Sequence, residues 1–200
     1  MKNLTVKVLL ILNLITLAGI LFRPSFVSRS VAAQPTATPV SEDNRELARL
    51  YQEDQADRTP ENERLLGWKT ITARDKAREN RVKELYAKNG LQTGADYYHT
   101  AMVLQHADLP EDYLLAHELC VVAIGKGEQR AKSLAAKSED RFLMEIGRPQ
   151  RFGTQFVSQN NGPFRLYTMG TGVTDELRRL MDVPSLAESK AREARMNKKK

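Results

Sequence analysis

Apolar residues recur every three or four positions along most of the chain after residue 41, and the breaks in that rhythm fall on Gly, Pro and Asn. The pattern predicts helices joined by short turns. Leu47, Leu50 and Tyr51 mark a first helix over 42–58. Thr59-Pro60 restarts the helix, because a proline costs no hydrogen bond in a first turn, and Glu61 and Glu63 suit the positive end of the helix dipole. Leu65, Leu66, Trp68 and Ile71 form an apolar cluster broken at Gly67. Over 73–88, Ala77, Val82, Leu85 and Tyr86 are the expected buried side of a charged helix ending at Asn89-Gly90, with Asp75, Arg78 and Arg81 as solvated charge.

Three further helices are expected in the middle of the chain. Thr93 to Asp96 supplies a turn and an N-cap for one over 97–107. Asp108 and Glu111 have capping-box spacing, with Pro110 in the first turn, for a second that starts near Leu109 and carries Tyr113, Ala116, Cys120 and Ile124 inward together with His117. Gly125 and Gly127 end it, and a third over 128–146 buries Ala131, Leu134, Ala135, Phe142 and Ile146. Gly147 and Pro149 stop that helix and leave 150–155 as a loop with a free-moving Gly153. Beyond a turn at 160–163, residues 164–169 are the one strand candidate, and Thr174 or Asp175 caps a helix with Leu177, Leu180 and Met181 that Pro184 interrupts. Short connections imply antiparallel neighbours. The expected fold class is mainly α: antiparallel helical hairpins stacked in one domain, tetratricopeptide-like at best, with at most one short strand near the C-terminus.

The two ends differ from this body. Lys2 and Lys7 precede an apolar run over 8–22, and Val31-Ala32-Ala33 offers small residues before Gln34, so 1–33 reads as a signal peptide or an N-terminal membrane anchor, with membrane attachment through residues 4–22. Residues 34–40 are a Pro/Thr-rich linker, 41–188 the helical domain and 189–200 a basic, disordered tail. The domain is therefore expected outside the cytoplasm, secreted or anchored in the cytoplasmic membrane. Cys120 stands alone, which excludes an internal disulfide, and its apolar helix face marks it as an inert core residue.

Charge changes the picture less than its total suggests. The net charge of +6 is concentrated at the ends: 1–33 holds four basic and no acidic residues and 189–200 six basic against one acidic, leaving −3 over 34–188. A slightly acidic body is not the footprint of a nucleic-acid binder.

The candidate chemistry lies in polar residues embedded in the apolar pattern: Asp54, Gln55, Arg58, Gln105, His106, Asp140, Arg141, Gln150 and Gln155. Asp54 and Arg58 are spaced as a helical surface pair or as the edge of a cavity. No metal is expected. His117-Glu118 begins like a zinc-protease motif, but Val121 stands where its second histidine belongs, and His99 and His106 are too far apart to pair as ligands on a helix. No cofactor is implied either.

Asp54-Gln55 with Arg58, Gln105-His106, Asp140-Arg141 and the closing Gly153-Thr154-Gln155 resemble the shared polar residues of a widespread, mostly bacterial family, a domain of unknown function. The resemblance spans about 42–186 and implies no activity or cofactor. This chain reads Asp-Gln-Ala-Asp-Arg at the first motif, which leaves open which acid holds the motif's place.

Two readings follow. The favoured one is an extracytoplasmic helical binding or interaction module, its partner a protein or a small ligand, whose polar residues form a buried network that fixes packing. The alternative is a hydrolase-like enzyme with His106 as general acid/base, oriented by Asp54 or Asp140, and with Arg58 and Arg141 gripping an anionic substrate group while the three glutamines donate hydrogen bonds. An open pocket favours ligand chemistry, and a closed, mutually bonded set favours the structural role.

Overall fold

The computed structural model describes residues 41–160 and 162–198, so the expectations for the signal or anchor and for the linker lie outside the described residues. Seven helices are present among them: α1 (Arg45–Asp57), α2 (Pro60–Ala87), α3 (Gly94–Leu104), α4 (Pro110–Gly125), α5 (Ala131–Glu145), α6 (Asp175–Leu180) and α7 (Leu186–Lys198). The expected mainly α architecture is the one observed. α4 packs on both α3 and α5, and α1 on α2 and α3. The short connections at 105–109 and 126–130 fold consecutive helices back on each other.

The core is built from small and aliphatic residues. Leu47 and Leu50 of α1 meet Val82 of α2, Ala101 and Leu104 of α3, Ala116, Leu119 and Cys120 of α4, and Leu134 and Ala135 of α5. Alanines on facing helices let the backbones approach closely. Cys120 is wholly buried, and burial pushes its thiol up to about 12, so it is an inert core group. His117 turns its Nδ1 onto the Ala135 carbonyl at 3.0 Å, as befits a hydrogen-bonded histidine at a helix interface.

Several local expectations are corrected. α3 starts at Gly94, three residues earlier than expected, with Thr93 from the expected capping stretch as its N-cap: its hydroxyl accepts the Asp96 amide and the Asp96 carboxylate accepts the Thr93 amide. Asp108 caps nothing; Leu109 holds the N-cap position of α4, with Pro110 at the first position. Ile146 is exposed because it lies at the C-cap of α5, past the last packed turn. On α2 the buried stripe is Ile71, Arg78, Glu79 and Val82, whereas Ala77 and Tyr86 face water. Hydrophobicity alone turns this helix the wrong way, because its inward charges are paired by neighbouring elements.

Residues 150–198 form a smaller unit against α5. The strand candidate appears as β2 (Arg165–Leu166), and its antiparallel partner β1 (Phe156–Val157) was not foreseen. The expected disordered tail is instead helix α7. Its Glu193 accepts from the Leu166 amide at 2.7 Å, Asn197 exchanges two hydrogen bonds with the Phe164 backbone, and Ser189 is buried. Those contacts give the basic helix a surface to dock on, which composition does not reveal. No described helix is long and apolar enough to cross a membrane.

Candidate functional site

The predicted polar residues converge, but in two places with different character. The first is closed. Asp140, fully buried on α5, accepts the Arg151 and Phe152 amides at 2.7 and 2.8 Å on one oxygen, and the Thr154 amide and hydroxyl at 3.0 and 2.8 Å on the other. Four donors saturate the carboxylate. The loop can wrap it because Gly153 takes φ +81°, a left-handed conformation that side chains resist, while buried beside Met169. Gly153 is thus held, not free-moving.

Gln150, also fully buried, completes this half. Its Nε2 donates to the Gln155 and Tyr167 carbonyls at 3.1 and 2.9 Å, and its Oε1 accepts the Gln155 amide at 2.9 Å. Its backbone bridges to Thr168 and Gly170. Gln150 therefore acts as an extra rung stitching the loop to the chain beyond β2. Gln155 reaches back to the Lys137 carbonyl at 3.3 Å, and Arg178 ties the loop to α6 through the Phe152 and Arg151 carbonyls at 3.1 and 3.2 Å. Gln105 joins through its Oε1, which accepts from Ser138 Oγ at 2.6 Å.

The second place is open. A cleft of about 440 Å³ is lined by Arg58, His106, Arg141, Tyr113, Ile71 and Trp68. Asp54 stands behind it, fully buried and not the surface residue its spacing allowed. One Asp54 oxygen faces His106 Nδ1 at 3.1 Å and Arg58 at 3.0 Å, and the other accepts Gln55 Nε2 at 2.7 Å. A carboxylate only accepts, so the Nδ1 contact puts the neutral imidazole's proton on Nδ1 and leaves Nε2 as a base without a protein partner among the described residues.

Behind the cleft wall runs a chain of alternating charges that sequence reading missed. Arg58 grips Asp75 with two hydrogen bonds at 3.2 and 2.9 Å; Arg78 bridges Asp75 and Asp57 at 2.6 and 2.8 Å; Arg74 closes on Asp57 at 2.8 Å. Arg78 is buried and Asp75 partly so, which corrects the solvated reading of both. Burial acts to raise the Asp57 pKa, but hydrogen bonds from Arg78 and Arg74 outweigh it and hold the carboxyl below its usual range. The signal was available: Ile71, Asp75, Arg78, Glu79 and Val82 share one stripe of α2 with three- and four-residue spacing. Alongside, Glu79 is neutralised by Lys76 and Lys83, and Lys83 reaches Asp112 on α4 at 2.5 Å.

Arg141 belongs to both places. Its Nη1 donates to the Gln105 carbonyl and its Nε to Gln155 Oε1 at 3.4 Å, while its guanidinium lies 5.5 Å from the Tyr113 ring centre. No carboxylate among the described residues forms an ion pair with it; burial, with a smaller contribution from Arg58, outweighs the opposing fields of Tyr113 and Glu145 and lowers its pKa from the usual arginine value. Every other charge set back in the cleft wall is compensated by a neighbour, and Glu63 and Asp108 lie exposed at the rim. Arg58, by contrast, spends both Nη1 hydrogens and one of Nη2 inward. Of the two arginines expected to grip an anion, Arg141 keeps more free capacity, three N–H groups against two, and it alone has no carboxylate in hydrogen-bond contact.

Among the described residues, no three histidine, cysteine, aspartate or glutamate side chains gather as a metal would require. Comparison of the chain with protein-family models, with curated proteins and with solved structures finds no match.

Proposed function

We propose that the domain is an extracytoplasmic binding module that holds a small anionic ligand in the Arg58–His106–Arg141 cleft. The observation that carries this reading is the half-buried, carboxylate-free Arg141 guanidinium in the cleft wall. Taking a cation out of water with no carboxylate in contact is costly, and Glu145 acts on it only at a distance, so a carboxylate or phosphate on its free edge relieves a cost the protein alone leaves largely standing. The cleft volume suits a small molecule. The export pattern of residues 1–33 supports a site of action outside the cytoplasm. The closed Asp140–Gln150 half supports the structural part of the reading, a network that fixes packing.

The test is calorimetric titration with inorganic phosphate and with acetate. Arg141→Gln is expected to weaken binding roughly 10- to 100-fold, the loss for one charge-assisted pair. Unchanged affinity in that variant would remove the proposal.

One observation favours a second, catalytic reading of the same cleft: the His106–Asp54 contact leaves Nε2 free beside the anion site. There His106 takes a proton from water as the water oxygen bonds to the ester centre of a bound substrate, and returns it to the departing oxygen as that bond breaks. Asp54 holds the ring and balances the transient imidazolium. His106→Gln is expected to abolish turnover of an ester while retaining anion binding; equal turnover in both proteins would exclude it.

A further inference from the structure

The cleft has a second wall whose chemistry does not concern anions. α2 is interrupted at Gly67, which adopts φ 70° and ψ 155°, a combination open in practice only to glycine. No atom lies within 4 Å of where a Cβ would stand, so the residue is required by the backbone and not by crowding. The break separates the first turns of α2 from the packed remainder and leaves Trp68 lining the cleft with 79 % of its surface exposed. Leu65, three residues earlier, is also 69 % exposed. Four residues further along, Thr72 lines the same cleft, and Ile71 beside it is buried, so this turn of the helix is well anchored below the exposed indole.

A tryptophan this exposed normally gains from being covered, and the surface that could cover it here faces a site for negative charge. The two walls thus make different demands on one ligand. Building on the anion reading of the cleft, we infer that the ligand joins a phosphate or carboxylate, held by Arg141, to a flat aromatic or heteroaromatic ring stacked on Trp68. A sugar or aliphatic acid satisfies only one wall. An indole face accepts any flat π-system, so Trp68 selects for the ring as a class and not for its substituents.

Trp68 is the chain's only tryptophan, so its emission reports this wall alone. The experiment titrates the full chain with phenyl phosphate, benzoate, inorganic phosphate, acetate and phenol, reading affinity by calorimetry and stacking by tryptophan emission. Phenyl phosphate or benzoate is expected to bind about tenfold more tightly than the matching ring-free anion and to shift or quench the emission. Which of the two does so identifies the anionic group. Trp68→Ala, on an exposed side chain, is expected to erase that advantage while leaving the affinity for the ring-free anion unchanged, with the far-ultraviolet dichroism verifying the fold. Equal affinity for ringed and ring-free anions, or an advantage that survives Trp68→Ala, overturns the inference while the anion site stands. Absence of binding by every anion overturns the underlying reading as well.

Discussion

The Asp140 loop and the His106 cleft are built from the same kinds of residue and use them in opposite ways. Around Asp140 each polar atom is spent: the carboxylate takes four hydrogen bonds, and the Gln150 amide is used on both its oxygen and its nitrogen. In the cleft the satisfaction is incomplete, at His106 Nε2 and at the Arg141 edge. A closed set returns its hydrogen bonds to the fold as rigidity. An open one leaves capacity for something that is not protein. Adjacent residues of α5, Asp140 and Arg141, fall on either side of that division.

The largest expected effect is on the closed side. Asp140→Ala strands three backbone amides, one buried and two partly buried, and should cost about 3–5 kcal/mol, measured as a lower denaturant midpoint with unchanged slope. A loss below about 1 kcal/mol would mean that water reaches the loop and would erase the contrast.

Next comes the ion chain behind the cleft. Asp57→Asn should cost roughly 1.5–3 kcal/mol at neutral pH by leaving Arg78 and Arg74 short of a counter-charge. Because the folded pKa of Asp57 is depressed, its contribution is present above the unfolded carboxylate value, about 4, and is lost as pH falls through the lower folded value. The wild type should therefore lose stability in acid more steeply than the variant, as followed by thermal unfolding across pH. Parallel curves would assign the acid limb to other groups.

The smallest effect should come from the open side. His106→Gln removes one hydrogen bond from an Asp54 that keeps Arg58 and Gln55 and should cost less than about 1 kcal/mol. A drop as large as that of Asp140→Ala would make the cleft a structural network after all.

Legibility followed the same division. The helices themselves could be read from local pattern, as could the restart at Thr59-Pro60 and a start near Thr174, because apolar period and breakers are local signals; the buried side of α2 and the cap of α4 could not. The polar set could be named from its mismatch with an apolar background, and it divides into two bonded groups, Asp54 with His106 and Arg141 with Gln105 and Gln155, that meet at one cleft. What could not be read was partnership across long separations. Arg78 looks solvated until Asp57, 21 residues away, is seen beside it, and the basic end of the chain looks loose until Glu193 and Asn197 meet the backbone near β2. Trp68 reads as one member of an apolar cluster, since nothing local distinguishes an indole that packs from one that Gly67 turns outward.

The brace on Arg141 bears on modularity. The cation of the cleft is steadied by the Gln105 carbonyl on one flank and by Gln155, from the loop beyond α5, on the other. A fragment ending at Gly147 would keep His106, Arg58 and the ion chain, yet its arginine would hang from a single tether and sweep a range of rotamers. The placement of Arg141 is thus borrowed from the carboxyl-terminal quarter of the chain, which contributes no side chain to the lining of the cleft and nonetheless sets its aim.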